Sequence, residues 1–342
     1  MQNILVSNAD YASNAPANTK PPMVSKYHSP RMAVIIPHYN YSEFLEDALL
    51  SVQQQTYENF TCVIVDDCST GDDYPNALEL VAKLGDKRFS IVRNSENRGM
   101  VHSIYNGIDQ IDAAFVSILD PDDRYAPTFL AKMLAVHLSP AIYCPLVCCD
   151  QFLLRVGDGI ISSTQYDNGT PVFDPDRTER EQINFERTGF HRYVRPTENG
   201  WPWATTSSML FRTDALKLIR PTKKLAYVGQ GDAYCANGAH MMGGSILLSE
   251  PLVYRGLHQK NDFISESVFS IFRPQAKPGS EFLSDVVKID VIEAFLNNGG
   301  LETFSINNFR DVIYAQFLGT HLSDLISAVP LVKELLLDKP ST

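Results

Sequence analysis

The chain has 342 residues, 44% of them hydrophobic and 20% charged, which is enough for a large buried core and ordinary for a water-soluble globular protein. Its formal net charge of −11 argues against a general binder of nucleic acid, which needs basic surface. No apolar stretch reaches the ~18 residues of a bilayer span, so no transmembrane segment is expected, although peripheral association with a membrane stays open.

Residues 1–31 contain no signal-peptide core; rich in Asn, Ala, Ser, Pro and Lys, they are expected to be a flexible arm. Strand and helix then alternate. Met32-Ala33-Val34-Ile35-Ile36 is a short apolar strand stopped by Pro37. Asn40 can cap a following helix with Glu43 as its reciprocal partner, and Phe44, Leu45, Ala48, Leu49 and Val52 recur at helical spacing. Phe60 to Val65 is a second strand, ending in Asp66-Asp67. Ala77 to Leu84 is a second helix stopped by Gly85. Phe89 to Val92 is a third strand, Val101 to Ile108 a third helix, and Ala113 to Leu119 a fourth strand. This βαβαβαβ order predicts a parallel, doubly wound sheet with right-handed crossovers. No GxGxxG or GxxxxGK[ST] run accompanies it, so neither a dinucleotide fold nor a P-loop enzyme is supported.

Further on, a helix is predicted near Phe129 to Leu134, a strand within Ile142 to Leu154, and a long polar loop over Asp167 to Arg195. Ala204 to Phe211 reads as a strand, Gly231 to Met242 as a helix and Ser245 to Tyr254 as a strand. Val286 to Phe295 and Val312 to Leu325 carry helical spacing in an appended C-terminal segment. The six cysteines form no CxxC pair, so buried, reduced thiols in a cytoplasmic protein are expected, without disulfide or zinc.

The most informative run is Leu119-Asp120-Pro121-Asp122-Asp123, with three carboxylates just past the fourth strand. Ligands bind at that end of strands in open α/β sheets. Two carboxylates about 4 Å apart repel by roughly 4 kcal/mol at an effective dielectric of 20, and a divalent cation held by hard oxygens offsets this. The other reading is a Pro-Asp turn that caps the helix beginning near Pro127.

Five separated blocks carry a resemblance. They are Val34-Ile35-Ile36-Pro37-His38-Tyr39-Asn40, Leu49 to Tyr57, Val65-Asp66-Asp67-Cys68-Ser69, Glu96-Asn97-Arg98-Gly99 and the acidic run itself. In this order they resemble the family 2 glycosyltransferases, an inverting group with a GT-A type fold: a Rossmann-like, mostly parallel sheet flanked by helices, here with a C-terminal helical extension. The resemblance is tight over about residues 32–135 and loose from about 200 to 261. It implies a nucleotide-sugar-binding half at 32–135, an acceptor-binding half of the same domain at 136–262 and a helical extension at 263–342.

The resemblance also implies roles. Pro37, Tyr39 and Asn40 would lie beside base or ribose, and Asp67 would accept from a nucleobase imide, which suits uracil and makes a UDP-sugar the expected donor. Arg98 would reach the nucleotide and Asp120 the ribose. Asp122 would ligate Mn²⁺ or Mg²⁺, with Asp123 sharing or exchanging that role and His258 approaching metal or diphosphate. For each, a structural role stays open: Asn40 as a cap, Asp67 as a turn carboxylate, Arg98 as a solvated arginine, His258 as a loop histidine. Family members place a catalytic base about a hundred residues after the acidic motif, frequently in Glu-Asp. Here Asp232 holds that place, preceded by Gly231 instead of Glu, with Asp150 as second choice and a helix N-cap as the other reading. Trp201 and Trp203 would offer an aromatic platform to an acceptor sugar, or else pack the core. The expected activity is sugar transfer to a hydroxyl of a glycan or lipid-linked glycan, a cell-surface glycan or its precursor. A nucleotidyltransferase-like enzyme and a non-catalytic nucleotide- or glycan-binding protein are the alternatives. The absence of a QxxRW run and of any membrane span disfavours a processive synthase.

Overall fold

Four parallel strands build the first half of the sheet: β1 (Met32–His38), β2 (Phe60–Asp66), β3 (Phe89–Arg93) and β4 (Phe115–Ile118), side by side in the order β3-β2-β1-β4. Helices α1 (Ser42–Gln53), α2 (Asp73–Leu84) and α3 (Met100–Asp109) make the crossovers. The βαβ reading is therefore correct. Gly85 takes the left-handed conformation (φ 63°) at the end of α2, as a helix-stopping glycine should. This computed structural model describes residues 29–139, 143–155, 159–164, 166–167, 170–171, 192–198, 200–227, 229–258, 260–261, 284–317 and 321–337. The expected arm up to residue 28, most of the expected loop at 167–195 and the start of the extension at 263–283 lie outside them.

Beyond β4 the sheet becomes mixed. It continues through β11 (Met209–Arg212), β6 (Leu146–Arg155), β12 (Ser245–Leu257) and β10 (Arg192–Val194). β11 runs antiparallel to both β4 and β6, whereas β12 is parallel to β6. β5 (Arg124–Tyr125) pairs with β12 and β7 (Gly159–Thr164) with β6; β8 (Tyr166–Asp167) and β9 (Thr170–Pro171) form a separate two-stranded ladder. The part of the expected polar loop that is described at its far end, Arg192–Val194, is thus an edge strand.

Alternation along β1 divides the core. Val34 and Ile36 face a layer with α1 and α4 (Phe129–His137), where Leu45, Leu49, Val52, Phe129 and Met133 are buried. Ala33 and Ile35 face α3, α5 (Thr213–Leu218) and α6 (Gly231–Met241), a layer that takes in Ile104, Ile108, Leu216 and Tyr234. The C-terminal helices belong to this second layer. They are α7 (Ser284–Asn297), α8 (Gly300–Thr303), α9 (Ile306–Gln316), α10 (His321–Ala328) and α11 (Pro330–Leu337). Val291, Phe295 and Phe309 are buried in the same cluster as Tyr234, and each such side chain contributes about 1.5–3 kcal/mol on removal from water. Asn298 donates to the carbonyls of Leu218 (3.2 Å) and Arg220 (2.9 Å), and Lys223 pairs with the buried Asp290 at 2.8 Å. Residues from Arg31 onward form one compact unit.

Three local expectations change. β1 runs through Pro37 to His38. The Ile35 carbonyl accepts from Leu119 N–H on the β4 side, so Pro37, two residues on, faces the same side beyond the last paired residue of β4, where no N–H is required. Asn40 does not cap α1: it sits in the left-handed region (φ 55°), and its Oδ1 accepts from Thr70 N–H at 2.9 Å. The start of α1 is held instead by Asp73, whose carboxylate accepts from the Ser42 backbone and hydroxyl. The stretch 204–211 is a strand only from Met209, because Thr206–Ser208 form one 3-10 turn.

Candidate active site

The carboxyl ends of β1, β2 and β4 open onto one edge, with β12 and the start of α6 beside them. The ends of β2 and β4 and the start of α6 carry aspartates there, and their environments differ.

At the end of β2 the acids are saturated by protein donors. Asp66 Oδ1 lies 3.1 Å from His38 Nδ1; its Oδ2 accepts from Ser69 N–H at 3.1 Å and meets Arg93 Nε at 3.2 Å. Burial works against its charge, but the hydrogen bonds from His38 and Ser69 outweigh that and hold the carboxyl below the ordinary aspartate value. Asp67 accepts from Asn94 Nδ2 (2.7 Å), Arg98 N–H (3.0 Å) and Gly99 N–H (2.7 Å). The last two precede α3, so Asp67 caps that helix from across the sheet. Gly99 turns the chain there at φ 86°, a value glycine takes without strain. Of the four lone-pair positions on Asp67, one is left for a ligand.

At the end of β4 the acids are crowded. Leu119 is buried, and the chain turns through Asp120-Pro121-Asp122-Asp123, closed by Asp123 N–H to Asp120 C=O at 3.1 Å. The Pro-Asp turn therefore exists, but it does not cap the next helix, which begins at Phe129 behind Thr128. Asp120 N–H donates to Ser207 Oγ (3.0 Å), which the 3-10 turn before β11 presents. Asp123 is 3% exposed and its Oδ1 accepts from Gly256 N–H of β12 at 2.9 Å. Burial and then the charge of Asp122 push the Asp123 carboxyl up to about 7. Asp120 is raised well above its ordinary value by burial, then by the charges of Asp123, Asp122 and Asp232.

Asp122 Oδ2 lies 2.9 Å from His258 Nε2 and accepts from Asn261 Nδ2 at 3.0 Å. His258 Nδ1 accepts from Lys260 N–H, which leaves the proton on Nε2, and its ring stacks on Phe44 (centroids 4.2 Å apart, 15°). The position after β12 thus puts His258 against the acidic turn. Gly256 is required there: a Cβ would stand 2.2 Å from the Asp122 carbonyl oxygen, a main-chain atom with nowhere to go.

Asp232 occupies the first turn of α6, its Oδ1 accepting from Ala233 N–H at 2.7 Å. Burial raises its carboxyl and the charge of Arg255 partly opposes the shift. A Cβ on Gly231, the residue before Asp232, would meet the flexible Met100 side chain, Sδ at 2.6 Å. Asp150 is buried on β6 with its carboxylate accepting from Gln151 N–H. Arg255 moderates Asp120, Asp123 and Asp232, and it makes no ion pair within 4 Å among the described residues. Sequence reasoning missed Arg255, Ser207 and Asn261 as members of the site.

Of the remaining expected residues, Tyr39 is 42% exposed at the rim beside Asn40. Arg98 extends toward solvent, its Nε 3.9 Å from Glu96. The paired-tryptophan platform needs correction. Trp203 is 1% exposed, its indole N–H donates to Ser245 Oγ at 2.8 Å, and it packs edge-on against His240 and Trp201. It is a core residue, and only Trp201 retains partial exposure.

The donor set fits a hard divalent ion. Aspartate oxygens crowd the turn, and Asp120 and Asp123 are held toward their protonated forms by burial first and then by neighbouring carboxylate charge. Among the described residues no three acidic, His or Cys side chains already converge as a closed cage. An ion that completes its shell with water and phosphate needs only one or two carboxylates.

The model described as glycosyl transferase family 2 matches residues 33–218, more than half of the chain. The chain belongs to glycosyl transferase family 2. The enzyme family extends over both the parallel strands and β11, and so over the acidic turn and its Ser207 contact. The putative teichuronic acid biosynthesis glycosyltransferase TuaG of Bacillus subtilis is 33% identical over 105 residues, 31% of this chain and 41% of that protein. The GalNAc(5)-diNAcBac-PP-undecaprenol beta-1,3-glucosyltransferase of Campylobacter jejuni is 29% identical over 105 residues, 31% of this chain and 34% of that protein. The chain thus spans less than half of the length of either relative. An uncharacterised glycosyltransferase of Nostoc sp. is 24% identical over 236 residues, 69% of this chain and 67% of its own. Among solved structures, S. aureus TarS 1-349 in complex with UDP-GlcNAc superposes with a TM-score of 0.51 at 18% identity, covering 90% of this chain and 83% of that one. The fold is the GT-A type that the resemblance implied.

Proposed function

We propose that this family 2 member is a metal-dependent, inverting glycosyltransferase that moves a sugar from a UDP-sugar to a hydroxyl of a glycan or lipid-linked glycan in cell-surface polysaccharide synthesis. The observation that carries this reading is the convergence of Asp120, Asp122, Asp123 and Asp232 at one sheet edge, with Arg255 as the adjacent cation. TarS holds UDP-GlcNAc on the same fold, and the Bacillus and Campylobacter relatives are named for cell-surface polymers and a lipid-linked glycan.

Mn²⁺ or Mg²⁺ would be held by Asp122 with Asp123 or His258, and when bound it supplies Lewis-acid stabilisation of the departing diphosphate. Arg255 adds positive charge at the same place, where charge develops in the transition state. Asp120 faces the ribose. Asp67 offers its one remaining lone-pair position to the nucleobase and also fixes the loop before α3. Pro37, Tyr39 and Asn40 form the rim beside the base, Arg98 reaches the nucleotide, and Trp201 lines the acceptor side.

Asp232 takes the proton of the acceptor hydroxyl as that oxygen bonds to the anomeric carbon and the bond to phosphate breaks on the opposite face. Its raised carboxyl suits a base, since proton transfer is most efficient when base and medium are closely matched. A cytoplasmic location accords with six free cysteines, five of them buried, and with the fact that no helix among the described residues is long and apolar enough to cross a membrane. The test is a nucleotide-sugar panel with Mn²⁺ scored by nucleotide release, run beside Asp232→Asn. That variant should turn over about 10²–10⁴ times more slowly with donor affinity unchanged; wild-type turnover would move the base elsewhere.

A further inference from the structure

Apart from the crowded acidic turn, a cavity of about 660 Å³ opens between α3 and the loop that follows α5. Its charge is opposite to that of the chain as a whole. Arg93, Arg98, Arg220, Lys223 and Lys224 line it against one carboxylate, Asp109, in a protein with 29 basic and 40 acidic residues. Three of these cations are already engaged. Arg93 is bound to Asp66 and Ser69, Arg220 to Asp109, and Lys223 to Asp290 and Glu293. Two are not. Lys224 is exposed and makes no ion pair among the described residues, and Arg98 reaches only Glu96 at 3.9 Å.

These two face a common neighbour. His102, one turn into α3, is held below its ordinary value by burial and then by the charges of Arg98 and Lys224. Its Nε2 accepts from Leu225 N–H at 3.5 Å, so the neutral ring presents Nδ1–H as a donor. Asn106, whose Nδ2 donates to Asn94 Oδ1 at 2.6 Å, continues the polar wall. Small-molecule pockets of this volume are predominantly apolar; this one is lined by cations, amides and an imidazole, which suits a phosphorylated sugar and leaves an apolar ligand without partners. The cavity borders the donor site without coinciding with it, since Asn94 and Arg98 are the residues that Asp67 fixes, whereas Arg220 and Lys224 lie on the far wall.

We infer that this groove is a second anion site, which binds the phosphoryl group of a sugar-phosphate-bearing acceptor through Lys224 and the Nδ1–H of His102, with Arg98 on the wall shared with the donor site. The inference rests on the glycosyltransferase reading for the identity of the acceptor, but the anion site itself can be tested without it. The probe is inorganic pyrophosphate, titrated calorimetrically with chelator present so that the acidic edge cannot take it with metal. Wild type should bind it, and the exposed substitution Lys224→Glu should weaken binding at least fivefold while Mn²⁺-dependent UDP binding stays unchanged. Saturating UDP should leave pyrophosphate binding in place. Equal pyrophosphate affinity in wild type and Lys224→Glu would overturn the site. So would complete displacement of pyrophosphate by UDP, which would assign it to the donor pocket. Loss of UDP binding in wild type itself would count against the donor reading and leave the anion result standing.

Discussion

Two groups of aspartates flank β1 at the same sheet edge, and the fold treats them differently. Asp66 and Asp67, at the end of β2, meet His38, Arg93, Asn94 and a row of backbone N–H groups. At the end of β4, Asp120 stands in the field of Asp123, Asp122 and Asp232, and Asp123, although it accepts from Gly256 N–H, in that of Asp122. Asp66, Asp67 and Asp123 are all buried, so burial alone does not separate the two ends; the partners do. Carboxylates given internal donors serve the structure, while carboxylates left crowded are held for a charge from outside.

The contrast can be broken most strongly at the crowded end. Gly256→Ala puts a methyl group into the Asp122 carbonyl, so the turn must move away from β12. Turnover should fall at least tenfold, and Mn²⁺ should lose its effect on the melting temperature. A fully active alanine variant would show that the turn does not depend on this contact. At the saturated end, Asp67→Ala strands the Arg98 and Gly99 N–H groups and Asn94. Chemical denaturation should register a loss of about 1–3 kcal/mol, and calorimetry weaker UDP binding as the loop before α3 loosens. Unchanged stability would mean that Asp67 is held for ligand alone.

The smallest effect sharpens the comparison by pH. The Asp66 carboxyl lies below its ordinary value of 3.8 in the folded chain, so its stabilisation is complete above that value and fades as pH falls through the folded one. Asp66→Asn should cost about 1 kcal/mol near neutrality, and the gap to wild type should close in acid. A gap that stays constant with pH would contradict the charged assignment.

Much of the fold was legible because periodicity is local. Alternation along β1 and helical spacing in α1 and α3 each specify a face, and the order of elements then restricts the parallel half to few topologies. The acidic turn was legible too, since three carboxylates in four residues conflict unless something joins them. What escaped was set at long range. Ser207 reaches Asp120 across 87 positions and Gly256 reaches Asp123 across 133, and neither bond leaves a trace in spacing. Asn40 has the composition of a cap but takes a left-handed backbone, which exchanges its side chain from α1 to Thr70. Trp201 and Trp203 look alike in sequence; burial and the Ser245 hydrogen bond assign one of them to the core.

Whether the crowded turn takes a cation decides the proposed chemistry. Electron paramagnetic resonance of Mn²⁺ titrated into the protein, with and without UDP, measures this directly in wild type, Asp122→Asn and Asp66→Asn. The expected result is Mn²⁺ binding that UDP strengthens in wild type and in Asp66→Asn, and that is lost in Asp122→Asn. Equal Mn²⁺ binding by Asp122→Asn and wild type, or no binding by wild type at millimolar metal with UDP present, would contradict it.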